Sequence, residues 1–212
     1  MKLWIGKLQL KQNMPNSKQE VIRIILPNHF DGTTVNSWLL KGDINTLVDT
    51  GMKSEDSWAA LLEQLADHGI SISDIQKIVI THGHADHMGL AARIADASDA
   101  KVWVPEYLYP WTADLANQID RRSKIYDDAF FSNTDLDLFP YVSWGSDKLM
   151  EFWDPIPYEQ VEIFKNDEQI QLGNSMWQTL YSPGHCVNQV VFYQPEGKQL
   201  LSADMILRST PV

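Results

Sequence analysis

The segment Thr81-His82-Gly83-His84-Ala85-Asp86-His87 carries three histidines and an aspartate in one short run. In an extended chain residues i and i+2 share a face, so His82 and His84 can grip one ion just past the end of a strand. On a helix the same two residues would point to nearly opposite sides, because helical neighbours lie three or four positions apart. Asp86 and His87 fall where the chain turns toward a helix expected from Met88, and adjacent residues in a turn can aim at a second ion. The pattern predicts two neighbouring metals served by one loop. The context agrees: Ile75–Ile80 reads as a buried strand before the segment, and Met88–Ala97 has helical periodicity after it.

Upstream, Val21–Leu26, Val35–Leu40 and Ile44–Val48 read as strands, with Asp31-Gly32 and Lys41-Gly42-Asp43 as turns. The third strand ends at Asp49-Thr50-Gly51. Ser54–His68 places Trp58, Leu61, Leu62 and Leu65 at helical spacing, and Gly69 follows as a helix stop. Downstream, Lys101–Val104 is a strand. From about 106 to 158 the chain is rich in aromatic residues, Ala113–Asp127 reads as a helix, and the region is expected to be an inserted helical subdomain or lid. Short strands follow at Val161–Phe164, Gln169–Leu172, Met176–Ser182, Gln189–Gln194 and Gln199–Ser202. This order places helices against a sheet, a mixed α and β class.

The 212 residues suit one domain, and 44% hydrophobic with 21% charged residues is ordinary for a globular chain. The net charge of -11, with no basic run longer than Arg121-Arg122, disfavours a nucleic-acid surface. Cys186 is the single cysteine, so no intrachain disulfide can form. No apolar run approaches a membrane span and no signal-peptide core is apparent, so the expectation is a soluble, cytoplasmic protein acting on a small molecule, with a homodimer left open.

His82-Gly83-His84-Ala85-Asp86-His87 resembles the His-Xaa-His-Xaa-Asp-His hallmark of the metallo-β-lactamase-fold hydrolases. Asp49 in Leu47-Val48-Asp49-Thr50-Gly51 matches that family's first motif. His185 in Ser182-Pro183-Gly184-His185 matches the third. Asp204 in Leu201-Ser202-Ala203-Asp204 matches the fourth, where the family more often has glycine before the aspartate. The resemblance implies a four-layer αββα sandwich with metals at one edge. It implies that His82, His84 and His185 hold one ion, that Asp86 and His87 belong to a second, that Asp204 bridges both, and that Asp49 orients the ligand loop. Cys186 reads as filler beside His185, His68 as an imidazole at a helix C-terminus, and His29 as a substrate-contact candidate in the first hairpin.

The chemistry implied is hydrolysis of an ester, thioester or lactone by a metal-bound hydroxide, with Asp86 and Asp204 as catalytic carboxylates and one or two zinc ions, iron or manganese being the alternatives. Asp204 and His87 disfavour a true β-lactamase. Three competing readings are a mononuclear iron enzyme similar to persulfide dioxygenases, an RNA or phosphodiester nuclease, and an inactive domain. The family has a fifth motif, a late histidine, and no histidine follows His185. The expectation is therefore a domain incomplete at its C-terminus, lacking its last strand and helix, by roughly 50 to 100 residues.

Overall fold

Strand alternation builds the first hairpin. β1 (Val21–Pro27) buries Ile22, Ile24 and Leu26 on one face, and β2 (Thr34–Leu40) pairs with it antiparallel, Ile24 opposite Ser37. The computed structural model describes residues 18–29, 32–126 and 150–207. Asp31 of the expected turn, the expected helix end at Asp127, the aromatic residues Phe130 to Trp144 and the tail from Arg208 lie outside them.

The chain then winds in crossovers. β3 (Thr46–Val48) pairs antiparallel with β2, and β4 (Lys77–Val79), β5 (Lys101–Pro105) and β6 (Val161–Phe164) add in parallel. Parallel neighbours need a crossover connection, and α1 (Glu55–Asp67) supplies the first. α1 starts at Ser54, whose side chain accepts the Ser57 N–H. It ends in a Schellman motif, with Gly69 N–H on Ala66 O, Ile70 N–H on Leu65 O, and Gly69 at φ +70°. The second crossover holds α2 (Ala85–Met88) and α3 (Ala91–Ser98), and the third begins with α4 (Pro110–Ala113) and α5 (Leu115–Tyr126).

The smaller sheet is an antiparallel meander in the order β10-β9-β8-β7, built from β7 (Gln169–Leu172), β8 (Ser175–Tyr181), β9 (Val190–Gln194) and β10 (Gln199–Leu201). Two apolar cores follow. One lies between the large sheet and the helices and includes Leu61, Ile78, Ile80, Ile94 and Val102. The other lies between the sheets and includes Val48, Val79, Phe164, Trp177 and Phe192. β3 and β4 are buried along their whole length because they are covered on both faces. Among the described residues, helices, six-stranded sheet and four-stranded sheet make three layers. The core-facing residues of the described helices all belong to the large-sheet side, so the outer helical layer of the expected sandwich is not among the described elements.

Several boundaries differ from expectation. The helix expected at Met88 begins at Ala85 and breaks at Gly89-Leu90, so Asp86 and His87 stand within its first turn. The strand expected at Ile75 begins at Lys77, after a 3-10 turn over Ile72–Asp74. The helix expected over Ala113–Asp127 is two helices, α4 and α5. In the described part of the 106–158 stretch, Leu108, Leu115, Ile119, Trp153 and Ile156 are buried in the helix-side core, with Tyr109, Trp111 and Phe152 packed against it. Among the described residues, Tyr109, Trp111, Phe152 and Trp153 are therefore packing. No helix of the described residues is long and apolar enough to cross a membrane.

Candidate metal centre

The centre lies at the carboxyl ends of β3 and β4. Asp49 leaves β3 at φ 60°, its N–H on Val79 O at 2.8 Å and its own carbonyl accepting the Ser37 hydroxyl at 2.6 Å. A cap at both ends of the peptide holds the unusual conformation in place. Asp49 is 2% exposed. Its Oδ1 accepts the Thr81 N–H at 2.8 Å, and its Oδ2 meets Thr81 Oγ1 at 2.9 Å and His87 Nδ1 at 2.8 Å.

These contacts fix the tautomers of two imidazoles. A carboxylate only accepts, so His87 carries its proton on Nδ1, and Thr81 donates its single hydroxyl proton to Asp49. The same Thr81 oxygen lies 2.9 Å from His82 Nδ1 and must accept there, so His82 also carries its proton on Nδ1. Both Nε2 atoms are left for the centre. Outer partners that fix ring orientation in this way are the normal support of metal-binding histidines.

Two groups of donors result, each with its ligand atoms within 4.8 Å of one another. One is His82, His84 and His185; the other is His82, His87 and Asp204. In the first, His84 Nδ1 lies 3.1 Å from His82 Nε2 and 2.9 Å from His185 Nε2. In the second, Asp204 Oδ1 lies 3.4 Å from His87 Nε2, while its Oδ2 lies 3.3 Å from His185 Nε2. Asp86 stands beside the second group, Oδ2 3.8 Å from His87 Nε2, and accepts Asn28 Nδ2 at 3.3 Å. Asp204 sits on a turn entered through Ala203 at φ 45°, a left-handed conformation that is free for glycine and costs alanine about 1–2 kcal/mol.

The electrostatics follow from burial and crowding. Burial, reinforced by the charges of His87, His84 and His185, holds the His82 imidazole well below its usual range. Burial and the neighbouring His185 hold His84 down to about 4. For His87 burial works against protonation, but Asp49, Asp204 and Asp86 outweigh it and raise the value well above normal. For Asp204 burial would raise the carboxyl, yet His87, His185 and His84 keep it lower than usual.

The donor set fits a divalent metal. His87 Nε2 is buried and has no hydrogen-bond partner among the described residues, an orphaned ring nitrogen on the Asp204 side of the centre. Imidazole nitrogens with carboxylate oxygens suit a first-row divalent ion. The remaining candidates lie elsewhere. His29 Nε2 contacts Ser54 Oγ at 3.1 Å, at the start of α1. His68 caps the end of α1. Cys186 Sγ donates to Asn188 Oδ1 at 3.0 Å and belongs to neither donor group. Ser37, Thr81, Asn28 and Asn188 were not singled out from the sequence, and only Thr81, within the motif, carried any signal.

The profile of the metallo-β-lactamase superfamily matches residues 30–211. The chain belongs to this superfamily. The metallo-β-lactamase domain is 27% identical over 194 residues to a probable metallo-hydrolase, YqjP, of Bacillus subtilis, covering 91% of this chain and 59% of the relative. Among solved structures it resembles a metallo-β-lactamase family protein from Thermus thermophilus, with 24% identity, a TM-score of 0.67, and 90% and 60% of the two chains covered. A metallo-β-lactamase from Elizabethkingia meningoseptica shares the fold at 22% identity and a TM-score of 0.56, with 86% and 59% covered. The domain thus spans about three fifths of the length of these relatives.

Proposed function

We propose that this domain is a metallo-hydrolase that holds zinc at His82, His84 and His185 and a second ion at His87, Asp86 and Asp204, and that it cleaves an ester, thioester or lactone. The observation that carries the reading is the placement of Asp204, with one carboxylate oxygen toward His185 and the other toward His87. A carboxylate so placed serves both donor groups at once. His82 would bind through Nε2, His84 through Nδ1 and His185 through Nε2. Asp49 and Thr81 keep the protons of His82 and His87 on Nδ1, away from the ions. Asp86, 20% exposed and steadied by Asn28, is positioned to orient the nucleophile and the leaving group. When bound, such ions lower the pKa of water to about 7 and polarise a carbonyl. The similarity to the Bacillus subtilis protein, named a probable metallo-hydrolase, supports the same chemistry.

Elemental analysis of protein purified without added metal, joined to a substrate panel, tests the reading. Zinc, with preference for an acyl-homoserine-type lactone, an S-acyl thioester or a simple ester, is the expected result. Iron would favour an oxygenase, and preference for a β-lactam or a bis-aryl phosphodiester would overturn the substrate class.

A further inference from the structure

The imidazoles of the first donor group come from two loops far apart in sequence. His82 and His84 flank Gly83, while His185 lies on the segment that leads into β9. Besides the contact of the ligands His84 and His185 themselves, two hydrogen bonds join these loops directly among the described residues. One is Val190 N–H on Thr81 O at 3.0 Å, at the strand end before the ligands begin. The other is Gly83 N–H on Asn188 Oδ1 at 3.3 Å, between the two ligands. The same Asn188 oxygen accepts the Cys186 thiol at 3.0 Å, next to His185. Asn188 is 5% exposed, so the carboxamide works out of water. The fit is close on the other side too: a Cβ on Gly83 would sit 3.3 Å from Asn188 Nδ2 and 2.7 Å from Leu108 Cδ1. The bare backbone of Gly83 is what lets the carboxamide approach.

We propose that Asn188 is a positioning residue for the three-imidazole group. Its one oxygen grips the His82–His84 loop through Gly83 and the His185 loop through Cys186, and so sets the spacing between the donors. The proposal rests on the reading of that group as a metal site. Asn188 touches none of the ligand atoms; it acts through the loops that carry them.

The test uses the whole 212-residue chain with cobalt as a spectroscopic probe and zinc measured by chelator competition. Asn188→Leu keeps the volume and removes the acceptor; Asn188→Asp keeps an acceptor. Asn188→Leu is expected to weaken binding at the three-imidazole group by about 10–100-fold, the usual effect of losing an outer partner. It should also change the visible cobalt spectrum and speed amide exchange at Gly83 in the metal-free protein. Asn188→Asp should stay within about threefold of the parent. Should Asn188→Leu fail to fold, Asn188→Ser, which admits water, carries the same comparison. Parent-like affinity, spectrum and Gly83 exchange in the folded Leu or Ser variant would overturn the clamp. A parent chain that binds neither ion would overturn the metal reading and the positioning role together, and the Gly83 exchange would still report whether the hydrogen bond exists.

Discussion

His82 and His87 sit where the fold buries them, while His185 sits where the chain is exposed. The first two are 0% and 3% exposed, and each has its Nδ1 tied to Asp49, one directly and one through Thr81. His185 lies in a segment whose neighbour Val187 is 77% exposed, and that segment is held by Tyr181 Oη on Val187 O, Ser182 N–H on Gln189 O and the Asn188 contacts. The difference teaches that one side of the centre is preorganised by the core, whereas the other is only brought near it. Removing a ligand from one side should therefore disturb the fold, and from the other only the metal.

The largest effect is expected for Asp49→Ala. It strands the Thr81 N–H, the Thr81 hydroxyl and the His87 Nδ1 proton in a buried site, and breaking such a pair costs about 3–5 kcal/mol. Urea unfolding of the metal-free protein should show it. A loss no larger than that of a surface change would break the comparison.

His84→Ala comes next, read on metal rather than on the fold. It removes one of three imidazoles from the first group, and losing even an outer partner costs 10–100-fold, so at least about that loss of zinc affinity is expected. Chelator competition measures it, and unchanged affinity would remove His84 from the ligand set.

Acid should act on the buried side. His82 and His84 are neutral in the folded protein at pH values where the unfolded chain, with a pKa near 6.5, takes up protons. Between about pH 6.5 and 4 the unfolded state binds more protons, so stability of the metal-free protein falls as the pH drops through that window. His87 has the opposite sign. Its raised value gives stability that is complete below about 6.5 and is lost as pH rises through the folded value, so it adds no slope within the window. Urea midpoints at about pH 6.5 and pH 4.5 would show the decline; a midpoint higher at the lower pH would contradict it.

The smallest effect is expected for the stability of His185→Ala. An exposed residue away from the core changes stability by within about 0.5 kcal/mol, although zinc affinity should fall as for His84→Ala. If thermal unfolding of the metal-free variant matched the loss in Asp49→Ala, the two sides would not differ in the way described.

The strands and α1 were legible because their signals are local. β6 and β7 have the bounds their β-branched and apolar alternation implies, and α1 runs between the cap Ser54 and the stop at Gly69. α2 was harder to place. Its first turn is made of Ala85, Asp86 and His87, polar motif residues that interrupt the apolar period, while Asp86 there is favoured by the helix dipole. The histidine segment, His185 and Asp204 were legible as motif residues. The supporting contacts were not: Asn28 meets Asp86 across 58 positions and Asn188 meets Gly83 across 105. No periodicity or spacing reports a contact at such separations. Asp86 stands beside the second donor group, its Oδ2 3.8 Å from His87 Nε2, a side-chain direction that the motif alone does not carry.

The separation between Gly83 and Asn188 also sets a schedule for synthesis. The intervening 105 residues take a ribosome roughly 5–20 s at about 5–20 residues per second. Throughout that interval the nascent chain displays His82 and His84 without His185, a half-site with two nitrogens. An ion captured then would be held loosely and open to exchange. On the proposed reading the three-imidazole set is complete only after β9 has emerged and paired, so an ion held there would be taken from what the folded domain meets rather than from what the growing chain first encounters.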